Sequence, residues 1–202
     1  MKNRLLALLL VCGVTPALYA GVDATLSYTS DYMWRGATQS MGQGAWQGRV
    51  EVNKGGMYGG VWASEVDYND EATYEMDLYL GYKLDLTSMW SVDVGVVQYN
   101  FDKVYDDKEE MFVKTNFGLV SVGYFVDMAD SEEDFMKVNV GVPFVKWADV
   151  SLEYGMWDRD TDYAGLMISK SWNDWTVGMM VMEEARQGQF MDMSSLTVSR
   201  HF

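Results

Sequence analysis

Apolar and polar residues alternate with a period of two along most of this chain. No other feature of the sequence limits its fold as tightly. In VDATLSYTSDYMW, the apolar positions Val22, Ala24, Leu26, Tyr28, Tyr32 and Trp34 are interleaved with Asp23, Thr25, Ser27, Thr29 and Asp31. YEMDLYLGYKL and WADVSLEYGM repeat the pattern over Tyr74–Leu84 and Trp147–Met156. Successive side chains of a strand point to opposite faces, so each segment presents one apolar and one polar face. Helical periodicity is scarce, and no stretch beyond the first residues approaches the roughly 20 apolar positions of a membrane-crossing helix.

The alternation predicts twelve strands, near 22–34, 45–54, 57–67, 73–85, 89–100, 110–116, 118–127, 135–143, 147–157, 163–171, 175–183 and 192–202. The connections between them fall into two kinds, and the kinds take turns. NKGG, LTS, NFG, VPFVK and SWND are short, whereas RGATQSMGQG, DYNDEAT, FDKVYDDKEE, DMADSEED, DRDTD and EEARQGQ are longer and mostly acidic. Short turns at one end and long polar loops at the other are the layout of a bacterial outer-membrane barrel. Closure also removes the strand edges that lipid cannot satisfy. The expected fold is therefore all-β: an antiparallel up-and-down transmembrane barrel of about twelve strands, with both termini periplasmic. A secreted soluble β-protein with one buried sheet face would also alternate. The aromatics near strand ends (Trp34, Trp46, Tyr58, Tyr68, Tyr74, Tyr82, Trp90, Tyr124 and Phe144) favour the barrel, because interfacial girdles sit there. Trp147, Trp157 and Trp175 fall on the other parity.

Residues 1–20 read as a secretory signal peptide: Lys2 and Arg4, the apolar run LLALLLVCGV, and the exit ALYA ending at Ala20. Residues 21–202 then form a single barrel domain. The only cysteine, Cys12, lies in the leader, so the barrel has no thiolate site or disulfide. The whole chain carries a formal charge of −15. Losing Lys2 and Arg4 makes it more acidic still, which excludes nucleic-acid binding through phosphate contacts.

SDYMWRGATQS, the following WQG, GMYGGVWASEVDY and YEMDLYLGY together resemble the proteobacterial TorF family of outer-membrane porins; the likeness is densest over residues 27–82. That resemblance implies an outer-membrane barrel in a Gram-negative bacterium and a pore, with no established substrate and no catalytic residues. The final strand, LTVSRHF, ends on Phe202, like the assembly signal of outer-membrane proteins. Expected partners are outer-membrane lipid and lipopolysaccharide, the outer-membrane assembly machinery, and small hydrophilic solutes or ions.

The lumenal face is expected to carry Arg49, Glu51, Glu65, Asp67, Glu75, Asp77, Lys83, Asp93, Lys137 and Glu153, together with small residues including Gly59, Ala63, Gly81, Gly95, Gly123 and Gly155. Large apolar groups are few on that parity, which points to a wet interior. Arg35 is expected at the mouth, after a lipid-facing Trp34, with Glu65, Asp67 or Asp77 as its partner. Such a pair serves either to fix the loop or to form part of a constriction. The acidic excess favours cations if the barrel conducts. The alternative is a charge network that closes the lumen and leaves a structural or interaction barrel presenting acidic loops.

No catalytic activity is expected. A serine hydrolase needs an imidazole beside the serine. The single histidine, His201, shares a strand face with Ser195 and Ser199 without an evident acidic orienter. No cofactor or metal is expected either. The acidic loops are rich in oxygen ligands, but none has the Gly and terminal Glu spacing of an EF-hand loop.

Overall fold

The computed structural model describes residues 21–69, 71–103, 107–129, 134–157, 161–186 and 189–202. The leader 1–20 and parts of the long acidic loops, including the centres of DMADSEED and DRDTD, lie outside the described residues.

Twelve antiparallel strands close into a barrel. They are β1 (Gly21–Thr29), β4 (Ala45–Lys54), β5 (Met57–Glu65), β6 (Tyr74–Asp85), β7 (Trp90–Phe101), β8 (Lys108–Phe117), β9 (Val120–Asp127), β10 (Phe135–Gly141), β11 (Asp149–Trp157), β12 (Thr161–Trp172), β13 (Trp175–Arg186) and β14 (Gln189–His201). Each strand pairs with its neighbours in sequence, and β1 pairs with both β4 and β14 to close the wall. At the seam, Thr25 stands opposite His201 and Thr29 opposite Thr197. Gly21 and Phe202 both lie at the short-turn rim, where the Phe202 amide donates to Ala24 O.

One element departs from the simple meander. The first predicted strand, 22–34, is two pieces: β1 stops at Thr29, and Met33–Trp34 (β2) pairs with Ala37–Thr38 (β3) in a separate small hairpin. Arg35 and Gly36 form its two-residue turn, and both have positive φ, 47° and 89°. That is the backbone pattern of the tight turns whose twist matches paired strands. A Cβ on Gly36 would sit 2.7 Å from the Tyr163 ring of β12, so the hairpin tip is pressed against the inside of the far wall.

The outer face carries an apolar belt. Val22, Leu26, Val50, Val61, Leu80, Val94, Val96, Leu152 and Leu196 are all exposed on it. So many exposed aliphatic side chains around one wall are unusual for a water-soluble monomer, whose largest apolar patch is typically about 300–600 Å². Aromatic rings flank it at both ends: Tyr28, Trp46 and Tyr74 towards the long loops, and Tyr82, Trp90, Phe117, Trp172 and Trp175 towards the short turns. This is the girdle arrangement of a lipid-facing wall. Three aromatics predicted for the girdle lie elsewhere. Trp34 is in the hairpin, Tyr58 points into the lumen, and Tyr68 belongs to the loop after β5.

The interior is less wet than the sequence suggests. Phe112, Phe125, Phe135, Tyr163 and Met182 form a buried apolar cluster inside the barrel. The lumenal glycines explain how rings fit there. Tyr58 pairs with Gly81, Tyr79 with Gly60, Phe112 with Gly95 and Tyr163 with Gly155. A Cβ on any of these four glycines would collide with the ring opposite. Small residues on this parity make room for aromatic side chains rather than for water, the cross-strand device by which a ring covers a bare glycine backbone.

Candidate functional site

The hairpin 33–38 crosses the lumen and carries Arg35 to the opposite wall. The guanidinium forks onto Glu110 of β8, with Nη1 donating to Oε1 at 2.8 Å and Nη2 to Oε2 at 2.6 Å. Both side chains are buried, Arg35 at 6% and Glu110 at 0% exposure. Tyr99 of β7 donates its hydroxyl to Glu110 Oε2 at 2.9 Å, and Lys108 lies 3.6 Å from Oε1 and 3.2 Å from Asp127. Four aromatic rings surround the guanidinium carbon: Trp34 at 4.3 Å, Phe125 and Phe135 at 4.4 Å, and Trp157 at 5.2 Å. The Trp157 indole N–H also faces Arg35 O at 3.4 Å. The expected partners Glu65, Asp67 and Asp77 do not make this ion pair. Trp34 does not face lipid; it packs against Tyr99 and Trp157 inside the barrel.

The loop that bears the hairpin is tied down at its base. Asp31 accepts the hydroxyls of Thr38 at 2.6 Å and Ser40 at 3.0 Å and the Gly42 amide at 3.3 Å. Tyr32, Ala45, Val66 and Ala72 bury one another beneath the next long loop, whose Asp67 amide bonds Gln39 O and whose Tyr68 hydroxyl bonds Gln39 Oε1. The fold of the first loop is thus held by its own polar side chains and by its neighbour, a common way to fix irregular backbone.

Below the hairpin the lumen holds a cavity of about 620 Å³, running from Asp31, Tyr32 and Met33 to Val142 and Pro143 in the turn after β10. Its walls mix hydroxyl and amide groups (Thr29, Gln47, Ser151, Ser169, Ser195 and Thr197) with apolar side chains such as Leu119, Met167 and Met180.

The remaining lumenal candidates divide clearly. Arg49 and Glu51 pair at 3.1 Å, and Tyr79 donates to Glu51 at 3.0 Å. Asp93 accepts the Tyr58 hydroxyl at 2.7 Å and stands across from Lys83 on β6 and Lys114 on β8. Lys83 approaches Asp85 at only 4.0 Å, near the short-turn rim. Lys137 meets Glu153 at 3.4 Å, and Glu153 also accepts from Tyr163 at 2.8 Å. Glu75 and Asp77 sit side by side on the lumenal face of β6, each with one buried carboxylate oxygen lacking a hydrogen-bond partner.

Two candidates are misplaced by the sequence reading. Glu65 faces outward and accepts the Trp46 amide at 2.9 Å. Asp67 lies past the end of β5 and turns back to the Asn69 amide at 2.8 Å. The physical reason is register: Gln47, Arg49, Glu51 and Asn53 stand opposite Ser64, Trp62, Gly60 and Tyr58, so the even positions of β5 face the lumen. Gly59 and Ala63 turn outward with Glu65 for the same cause. A one-residue change of parity moves every side chain of a strand to the other face.

Glu110, Tyr99, Lys108, Lys114 and Asp127 belong to the lumenal face without standing out in the sequence. Glu110 falls where the acidic run FDKVYDDKEE meets the predicted strand 110–116; the strand in fact begins at Lys108, which places Glu110 two residues inside it. The ring nitrogens of His201 face the hydroxyls of Thr25 at 3.3 Å and Thr176 at 3.1 Å, while Ser199 is engaged by Ser27 at 2.9 Å.

No curated protein matches this sequence. Among solved structures, the chain is similar to a KdgM porin in complex with disordered oligogalacturonate, with 10% identity, a TM-score of 0.62, and 91% of this chain and 98% of that one covered. A membrane protein from a study of in-meso crystallisation gives 10% identity, a TM-score of 0.63, and coverage of 90% and 83%. Outer membrane phospholipase A from Escherichia coli aligns with 12% identity over 92% and 91% of the two chains, at a TM-score of 0.47. The first two likenesses are of fold, and the fold is that of a porin-like membrane barrel. The sequence itself matches one family over residues 15–192, described as Bacterial protein of unknown function (Gcw_chp). This chain belongs to the Gcw_chp family.

Proposed function

We propose that this protein is a narrow outer-membrane pore for ions or small hydrophilic solutes, with a preference for cations. The carrying observation is the cavity of about 620 Å³ inside a closed barrel, lined in part by hydroxyl and amide groups and bounded above by an inward-folded loop. Such a loop acts as a constriction: it narrows the path without closing the wall. The resemblance of residues 27–82 to the TorF porins supports the same reading.

Cation preference rests on charge. Glu51, Glu75, Asp77, Asp93, Glu110, Asp127, Glu153 and Glu184 of the lumenal face outnumber Arg49, Lys83, Lys108, Lys114, Lys137 and the inserted Arg35. Low-dielectric walls focus the field of such an excess, and carboxylate-rich pores favour cations. The same excess argues against an acidic oligosaccharide of the kind bound by the KdgM neighbour. On this reading residues 1–20 direct export. Phe202, exposed at the short-turn rim, guides assembly, and both termini are periplasmic. Lipid meets the apolar belt, and the long loops face lipopolysaccharide.

One observation favours the second reading, a closed structural barrel: the buried Arg35–Glu110 pair fills the upper lumen together with four rings. Liposome swelling separates the two. A pore admits small polar solutes and excludes larger ones by size, whereas a closed barrel, correctly folded, gives no swelling with any solute.

A further inference from the structure

The surroundings of Arg35 have the composition of a ligand site. A carboxylate with no exposure accepts two parallel N–H bonds, and four aromatic faces enclose the planar cation. Fork-on-fork pairing and ring stacking are the two features by which proteins select guanidinium over a point charge. Almost all of this cage belongs to the wall: Tyr99 on β7, Glu110 on β8, Phe125 on β9, Phe135 on β10 and Trp157 on β11. Only Trp34 arrives with the hairpin. The cage therefore stays in place if the hairpin leaves.

We infer that this cage is a recognition site for small guanidinium-bearing cations, and that Arg35 is its tethered internal occupant. Three features make exchange feasible. The hairpin contains only two paired positions, Met33–Thr38 and Trp34–Ala37. Its tip holds a non-glycine residue at a φ of 47°, a conformation that costs an L-residue energy which a free ligand does not carry. Lys108 offsets part of the Glu110 charge but is shared with Asp127 and stands 5.6 Å from the Trp157 ring centroid, beyond the 4.4 Å at which Arg35 meets the Phe135 face. A neutral or anionic solute cannot take the place of Arg35, because Glu110 would be buried without its forked partner. The site stands independently of conduction; its use as a latch, in which an incoming cation releases the hairpin, rests on the pore reading above.

Tethering sets the expected affinities. A linked group competes at an effective concentration in the millimolar range, so the wild-type protein should bind a free cation about tenfold or more weakly than a variant lacking the tethered one. The test is calorimetric titration of the purified barrel in detergent with methylguanidinium, using the neutral isostere methylurea as control. Arg35→Ala should bind methylguanidinium saturably at one site. Wild type should bind it about tenfold or more weakly. Arg35→Ala/Glu110→Gln should lose the site, and methylurea should give no saturable heat. A heat-modifiable, folded Arg35→Ala barrel with no saturable binding, or with binding unchanged by Glu110→Gln, would overturn the assignment. If Arg35→Ala does not fold, hydrogen exchange on wild type decides. Methylguanidinium should speed exchange of the amides of residues 33–38 relative to equal sodium chloride or methylurea, and equal rates would overturn the inference. Binding without any conductance in bilayers keeps the site and removes the pore, whereas conductance without binding does the reverse.

Discussion

The guanidinium of Arg35 grips both carboxylate oxygens of Glu110, a residue 75 positions further along the chain, at 2.8 and 2.6 Å. Because both side chains are buried, removal of one partner leaves the other as a buried, unmatched charge. Arg35→Ala and Glu110→Gln should each cost about 3 kcal/mol in urea unfolding from lipid vesicles, and the double variant should cost much less than the sum. Additive losses would mean that the two groups are not coupled as the geometry requires.

Gly36 tests the hairpin turn itself. Its φ of 89° disfavours any Cβ, and the Tyr163 ring occupies the space the Cβ would need. Gly42 has a similar φ of 73° but open space around it. Gly36→Ala should therefore loosen the hairpin more than Gly42→Ala, whose cost is the backbone alone, about 1–2 kcal/mol. Limited trypsin digestion reads this directly. Cleavage after Arg35 should appear in Gly36→Ala and stay absent in wild type; equal resistance in all three proteins would separate the turn from the burial of Arg35.

Orientation is tested by epitope tags. A tag inserted at Asp107, in the long connection between β7 and β8, should be bound by antibody on intact cells. A tag at Gly55, in the turn between β4 and β5, should be bound only after the cells are permeabilised. The opposite labelling would invert the barrel and place the acidic loops in the periplasm.

Asp102, just beyond β7, gives a pH signature. The Thr73 hydroxyl donates to it at 2.6 Å and the Thr73 amide at 2.8 Å. These bonds to the charged form lower its pKa below the ordinary 3.8. A depressed acid anchors its loop above the unfolded value and releases it as pH falls through the folded one. The Thr73 amide resonance should therefore hold its position at neutral pH and shift only below pH about 4, the ordinary aspartate range. In Asp102→Asn that acid shift should vanish. A shift already complete at pH 6, or one that persists in Asp102→Asn, would assign the change to another group.

The wall was legible from the sequence because lipid on one side and polar contents on the other enforce alternation. β4 spans the predicted 45–54, and most other strands agree to within a few residues. The lumen was not legible, for two physical reasons. Tight two-residue hairpin turns are usually signalled by Asn-Gly or Asp-Gly, and the Arg35-Gly36 pair carries half of that signal. The strand that should have ended at Trp34 instead breaks at Thr29, where Asp31 gathers Thr38 and Ser40 around itself. Secondly, parity breaks at the mouth. Phe112, Phe125 and Phe135 are large apolar residues on the lumenal face, placed there because Arg35 and the cross-strand glycines give them partners. Alternation alone assigns such residues to lipid, and Glu110, at the junction of an acidic loop with the predicted strand 110–116, then does not read as a buried lumenal group.

The most direct measurement is the reversal potential of single channels in planar bilayers under a salt gradient. The wild-type barrel should open small, cation-selective channels. Glu75→Gln/Asp77→Asn, which neutralises carboxylates on the lumenal face of β6, should shift the potential towards anions. Glu65→Gln, on the outer face, should leave it unchanged. Anion selectivity in the wild-type channel, or silence from folded wild-type and Arg35→Ala barrels alike, would contradict the proposal of a cation-preferring pore.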